Sequence, residues 1–261
     1  MKIDVLGSGS AFSLVRNTSA VMLTNRQQQR WLIDCGPTVP RALWQRGLEV
    51  NEVDVLYFTH IHPDHCAGLP ALLNRWKSLG RTKPLTIYCQ PEHRNTLTEL
   101  AKLATFPLEG ICFDLLWRDT PNSGAWHDWH FVTAATQHEM SNLAIRIEVD
   151  GQSLFYSGDG RPTLASIELM MGCDIAFQEC AVSQPLPNDA SHGDVQSCLA
   201  LAEKLHLPAL GLYHCYDEEI TILEATVRPY SNVFISFDGL SISLDSDLSA
   251  YEQSQATRAA L

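Results

Sequence analysis

The residues best equipped for chemistry in this chain sit in THIHPDHCAGL, Thr59 to Leu69, which places His60, His62, Asp64 and His65 within six positions. Imidazole and carboxylate together suit zinc and other first-row divalent metals. Alternate spacing lets His60 and His62 converge on one ion while Asp64 and His65 reach a second, so one loop can serve two metals. A lone His or Asp would be read as a surface group or a helix cap; this set, directly after the apolar run Val53 to Phe58, is not. Pro63 is poorly tolerated inside a helix and favours an extended His62. Both early histidines are therefore expected on a loop leaving a strand, with Asp64 near the start of the next helix.

The elements that must position these groups read as strands alternating with helices. Strands are expected at 2–6, 19–24, 30–34, 53–58, 85–89, 111–117, 129–134, 142–149, 152–156, 174–177 and 207–213. Helices are expected over 38–46, 66–79, 91–103 and 162–171, and from His192 to Leu205. Gly7-Ser8-Gly9 reads as a tight turn rather than a phosphate cradle, because no helix clearly follows it. Asp34, His60, His138, Asp159, Glu179 and His214 each come at or just past the end of an expected strand. Sites in layered α/β folds gather where strand ends converge. Asp34 has two open roles, capping the helix over 38–46 or supporting a metal-ligating His from behind. His127-Asp128-Trp129-His130 has the look of a metal motif, but strand positions three apart point to opposite faces. His93 is expected to be solvated and His206 to be structural.

With 261 residues, 45% of them hydrophobic and 18% charged, the composition is that of a globular protein with a large core. One domain is expected over 1–245, followed by a polar tail or short helix over 246–261 whose part in a homodimer contact is left open. The start lacks a signal-peptide pattern and no apolar run approaches the ~20 residues of a membrane span, so a cytoplasmic protein without a membrane partner is expected. The eight cysteines are scattered without a CxxC pair and read as mostly reduced core residues. A formal net charge of -12 works against a broad nucleic-acid footprint without excluding one. Bound divalent cations would offset that charge locally and admit a small anionic substrate.

Taken together, IDCG at 33–36, THIHPDH at 59–65, His138, SGDG at 157–160 and YHC at 213–215 resemble the metallo-β-lactamase superfamily, over essentially the whole chain to about residue 245. The resemblance implies an α/β fold, a four-layer αβ/βα sandwich of two mixed sheets with a dinuclear site at one edge. It implies one metal held by His60, His62 and His138, another by Asp64, His65 and His214, and Asp159 bridging them. Within the superfamily, Ser191-His192-Gly193-Asp194, the QEC segment at 178–180 and FDG at 237–239 are similar to the ribonuclease Z and cyclic-phosphate phosphodiesterase branch. Two features depart from that branch. Only about twenty residues separate His138 from Asp159, whereas ribonuclease Z enzymes that process transfer RNA usually carry a protruding basic arm there or elsewhere. The N-terminal region also lacks the cysteine cluster that gives the phosphonate-pathway phosphodiesterase a structural zinc.

The implied activity is a metal-dependent phosphodiesterase acting on a small phosphodiester or cyclic-nucleotide-like substrate through a metal-bridging hydroxide. Two metals ~3.5–4 Å apart acidify a shared water and stabilise both the attacking and the departing oxygen. Asp64 then counts with the catalytic groups as well as the ligands. His192 is the expected proton donor to the leaving oxygen, with Glu179 orienting it. Zinc is the expected metal of both ions, with manganese or iron as alternatives, because availability as well as ligand type selects. The rival functions are a ribonuclease Z-type RNA endonuclease, a lactone or thioester hydrolase of the same fold, and a metal-bound sensing module without turnover. The complete ligand set argues against the last.

Overall fold

The structure, a computed structural model, describes residues 1–108 and 110–245; the tail over 246–261 lies outside the described residues. β1 (Lys2–Gly7), β2 (Ala20–Thr24) and β3 (Arg30–Ile33) run antiparallel, and β4 (Val55–Tyr57), β5 (Leu85–Cys89) and β6 (Leu115–Asp119) continue from β3 in parallel. A second sheet begins with the antiparallel β7 (Ser123–Trp126), β8 (Trp129–Ala135), β9 (Leu143–Val149) and β10 (Gln152–Tyr156). It is completed by the parallel β11 (Ile175–Glu179), β12 (Leu210–Tyr213) and β13 (Val233–Ile235). The last strand, β14 (Ser241–Ser243), returns to pair with β1, so each sheet is seven-stranded and mixed.

Side-chain alternation decides the layering. Trp31, Ile33, Val55 and Tyr57 point inward and meet Ile145, Ile147, Leu154, Tyr156 and Phe177 of the second sheet. Leu32 and Leu56, one residue out of phase, point outward beneath α1 (Val39–Gln45) and α3 (Leu69–Ser78). Phe155 and Ala176 likewise face α5 (Leu164–Met170) and α6 (Val195–Leu205) on the far side. Helix, sheet, sheet and helix make the four-layer αβ/βα sandwich expected. Both faces of each sheet are covered, which is why the strands read as unbroken apolar runs. Trp31 ties the sheets together, stacking on Trp129 at 5.5 Å and on Tyr88 at 5.7 Å.

Several expectations change in detail. The helix over 66–79 is broken into α2 (Pro63–Cys66) and α3, because the Gly68 N–H donates to Cys35 O at 2.8 Å and a Cβ on Gly68 would come within 2.1 Å of Gly36 O. The strand expected at 111–117 begins four residues later as β6, and β7 has no signature in the sequence because its four residues carry no apolar run. His93 is not solvated: it ends a 3₁₀ turn before α4 (Arg94–Lys102), one helical turn from the core residue Leu97, and is buried. Residues 127–130 form the tip of the β7–β8 hairpin, with His127 at φ 50° and His130 exposed. The Gly7-Ser8-Gly9 turn has no donors to spare, since the Ser8 N–H and hydroxyl both donate to Asp238. His206 closes α6 in the left-handed conformation, a structural role. The eight cysteines are free, and all but Cys112 are buried. No helix among the described residues is long and apolar enough to cross a membrane.

Candidate metal centre

The loops leaving β3, β4, β8, β10, β11 and β12 carry the polar residues singled out above to one place. His60, His62, His138 and Asp159 each offer a donor atom within 4.8 Å of the others, and Asp64, His65, Asp159 and His214 form a second such group. In the first, His62 Nδ1 is 3.1 Å from both His60 Nε2 and His138 Nε2. In the second, Asp64 Oδ2 is 3.3 Å from the Nε2 atoms of His65 and His214, and Asp159 is 3.3 and 3.2 Å from the same two nitrogens. Four ligands tetrahedrally disposed at the ~2.0–2.1 Å typical of zinc would stand about 3.3–3.4 Å apart, so these spacings match those that shared coordination would require. The orphaned atoms agree. His65 Nε2 and Asp159 Oδ1 are buried without a hydrogen-bond partner, and a divalent cation would satisfy both at once. Asp159, present in both groups, is the residue that can connect two ions.

Local structure explains how the donors are aimed. Pro63 opens α2 and holds His62 extended at φ -57°, ψ 147°, turning it back towards His60 and His138. Asp34 does not cap α1; at φ 64° it turns inward and is fully buried. Its carboxylate accepts the Thr59 N–H at 2.9 Å, the Thr59 hydroxyl at 2.9 Å and His65 Nδ1–H at 2.8 Å. With its proton given to Asp34, the Thr59 oxygen accepts from His60 Nδ1 at 3.1 Å. One carboxylate thereby sets the tautomer of a histidine in each donor group and leaves both Nε2 lone pairs facing the site. His138 Nδ1–H donates to the Ser191 carbonyl at 3.0 Å. The Asn142 amide holds the Asp159 loop from two sides, accepting the Asp159 N–H at 3.1 Å and donating to Ser157 O at 2.8 Å.

Burial and charge act against each other throughout. Burial opposes ionisation of Asp159, yet the neighbouring His214 and His65 outweigh it and hold the carboxyl well below the usual range. Burial opposes a charge on His65 too, but Asp159 and Asp34 raise its pKa. His60 goes the other way, pushed well below the ordinary histidine value by burial and by His65. The bridging position thus resists protonation at Asp159, and His60 stays neutral for ligation.

Glu179 and His192 stand beside the second group. Glu179 is fully buried; Oε1 lies 3.2 Å from His192 Nδ1 and Oε2 accepts the Gly193 N–H at 2.8 Å. The hydrogen bond to Glu179, with its charge, raises the His192 pKa to about 9 against the effect of burial. The His192 ring stacks on His214 at 5.6 Å and meets His138 edge-on at 5.3 Å. A cavity of about 340 Å³ opens over these groups, lined by His62, Asp64, Asp159, His192 and His214 together with Ser10, Phe12, Glu139 and Tyr216. A larger cleft of about 650 Å³ lies against β1 and β2, but its cations are already paired, Lys2 and Arg46 with Asp4, Arg30 with Glu52 and Arg26 with Asp245. The chemistry belongs to the smaller cavity. Thr59, Asn142, Phe12, Glu139 and Tyr216 were not singled out from sequence; only Thr59, within the histidine motif, carried a signal.

Residues 1–226 match the family model described as Anti-Pycsar protein Apyc1. The chain belongs to this family. The Anti-Pycsar protein Apyc1 of Paenibacillus xerothermodurans is 28% identical over 230 residues, covering 84% of this chain and 89% of its own. A ribonuclease Z of Azobacteroides pseudotrichonymphae genomovar. CFP2 is 21% identical over 276 residues, covering 90% and 96%. Among solved structures, the short form of human tRNase Z superposes with a TM-score of 0.79 at 20% identity, over 94% of this chain and 99% of its own. The metallo-β-lactamase fold protein YhfI from Bacillus subtilis superposes equally, with a TM-score of 0.79 at 18% identity over 92% of this chain and 98% of its own, which establishes the metallo-β-lactamase fold. As an Apyc1-family chain with a divalent-metal donor set, the protein is a metal-dependent hydrolase of the phosphodiesterase type.

Proposed function

We propose that the protein hydrolyses a small cyclic or linear phosphodiester using two divalent ions, zinc in the first instance. His60, His62 and His138 would hold one, Asp64, His65 and His214 the other, and Asp159 both. The observation that carries this is the position of Asp159, whose carboxylate faces both donor groups. When bound, the ions supply a water acidified towards neutrality and positive charge for the phosphoryl oxygens.

The remaining work falls to the chain. Water gives up a proton to solvent as it attacks phosphorus, the P–O bond to the leaving group breaks, and the departing alkoxide takes a proton from the His192 ring, which regains one from solvent before the next turnover. Glu179, accepting from Nδ1, orients that ring and leaves its other nitrogen to the cavity. Asp34, directly at His65 and through Thr59 at His60, holds the ring proton on Nδ1 so that Nε2 is the atom turned to the ions. The interval between His138 and Asp159 holds little besides the β9–β10 hairpin, so no arm extends from it to grip a folded RNA. With the charge of -12, this favours a small diester over precursor transfer RNA as the substrate.

The test is His192→Ala with paired leaving groups. Metal content should stay intact and kcat should fall by about 10²–10⁴ for an alkyl leaving group, the range for a lost general acid. The loss should be much smaller for p-nitrophenolate, which departs without a proton. Equal losses for both, or loss of metal, would remove His192 from this role, and thioesterase or lactonase turnover without any diesterase activity would remove the proposed substrate.

A further inference from the structure

The loop between β1 and β2 carries three large apolar side chains that the core does not use: Phe12, Leu14 and Val15 are 92%, 94% and 78% exposed. Its backbone is nonetheless built firmly. Asp217, three residues past His214, accepts the Ser13 hydroxyl at 2.6 Å and the Leu14 N–H at 2.7 Å. Arg16 ties the far side of the loop to the Ser236 carbonyl at 2.7 Å, and its N–H donates to Ser13 Oγ at 2.9 Å. The loop also folds close over Gly9, where a Cβ would come within 2.7 Å of the Arg16 side chain. A braced loop holding a bare aromatic ring is a platform, and this one lines the same cavity as Asp64, Asp159 and His214. The cavity is thus lined both by candidate metal donors and by the Phe12 ring.

We infer that Phe12 is a specificity-determining residue that stacks on the planar heteroaromatic group of a nucleoside-bearing phosphodiester while its phosphate sits at the Asp159 end. The inference rests on the phosphodiesterase function proposed above and names the part of the substrate recognised outside the metal groups. A ring face offers dispersion and π contact to any flat base, and it gains most when both partners shed water. Stacking of a base on an aromatic side chain is worth about 1–3 kcal/mol by alanine substitution, or about 5- to 150-fold in affinity. Asp217, which touches the loop and not the cavity, acts as a positioning residue for Phe12.

The experiment compares a base-bearing and a base-free substrate, adenosine 3′,5′-cyclic phosphate and ribose 3′,5′-cyclic phosphate, on the metal-loaded protein. The ratio of their kcat/KM values should fall at least 5-fold in Phe12→Ala, through KM of the base-bearing diester, and recover in Phe12→Trp. Asp217→Asn, which loosens the loop, should lower the ratio in the same direction. A ratio unchanged in Phe12→Ala, with both diesters cleaved, would overturn the stacking role and leave the phosphodiesterase function standing. Cleavage of neither diester by the unaltered protein would overturn the inference, and failure on bis(p-nitrophenyl) phosphate as well would overturn the phosphodiesterase function with it. A parallel loss on both diesters, accompanied by a changed sedimentation coefficient, would assign the apolar loop to a subunit contact and overturn the inference.

Discussion

Replacing Asp34 with Asn should weaken metal binding without unfolding the protein. Asn tolerates the left-handed conformation that Asp34 adopts at φ 64°, so the backbone is not disturbed. The hydrogen bonds cannot all be kept. The native carboxylate accepts from the Thr59 N–H, the Thr59 hydroxyl and His65 Nδ1–H. An amide that keeps its oxygen on Thr59 presents N–H to His65, which must then move its proton to Nε2 and face the site with a hydrogen instead of a lone pair. An amide turned the other way strands the Thr59 N–H, at about 1–3 kcal/mol for a buried donor. Either outcome matches the 10- to 100-fold loss of metal affinity typical when such a supporting group is changed, about 1.4–2.7 kcal/mol. The larger loss should fall on the group containing His65, with a smaller one at His60 through Thr59. Asp34→Ala adds the strain of a positive φ, about 1–2 kcal/mol, and leaves all three donors unmet, so its melting temperature should fall as well. Competition titration against a chromogenic chelator, with thermal melts of both variants, reads these effects. An Asp34→Asn protein binding both metals within twofold of the native affinity would refute the tautomer argument.

Other outcomes follow from the same geometry. Fully loaded protein should contain close to two divalent ions per chain, and His214→Ala should lose one class of site while keeping the other; elemental analysis giving one ion or none for the native protein would contradict the shared role of Asp159. Asp194 is buried and caps α6 by accepting the Ser197 N–H, and also accepts the Leu186 N–H and pairs with Arg161. Burial opposes its charge, but those hydrogen bonds and Arg161 hold its pKa below the ordinary value. A lowered folded-state pKa contributes stability that is present above the unfolded pKa of ~3.9 and lost as pH falls through the folded value. Asp194→Ala should therefore cost about 1 kcal/mol near neutrality in denaturant unfolding, and its deficit should shrink below about pH 4; a deficit that stays constant to pH 3 would show the charge to be irrelevant. Purified protein should cleave precursor transfer RNA poorly beside small diesters, and efficient, correctly placed 3′ cleavage would reverse the substrate preference argued here.

Much of the site could be read before any fold was in hand, because it is local. His60, His62, Asp64 and His65 are bound into one short loop, and a proline at 63 settles its shape through backbone sterics alone. The glycine-flanked Asp159 and the strand-end positions of His138, Glu179 and His214 were legible for a related reason: a strand ends where its apolar run ends, and the polar residue placed there stands at the sheet edge. The four-layer fold came from resemblance, not from alternation, since strands covered on both faces show no polar side to read. The errors were of the same origin. His93 looked solvated from its charged neighbours, though it shares a helix face with Leu97, and the helix over 66–79 gave no hint that Gly68 must approach the Cys35 turn. The tertiary structure alone decided between the two roles of Asp34, because a hydrogen bond from Thr59 to a residue 25 positions earlier has no signature in either segment. It likewise decided that Phe12 lines the cavity, on a loop held at Leu14 by Asp217 from 203 positions away. Sequence determined which donors the chain owns and which stand at strand ends; the distances between them, and so the chemistry they can share, depended on contacts that form only when the two sheets close on one another.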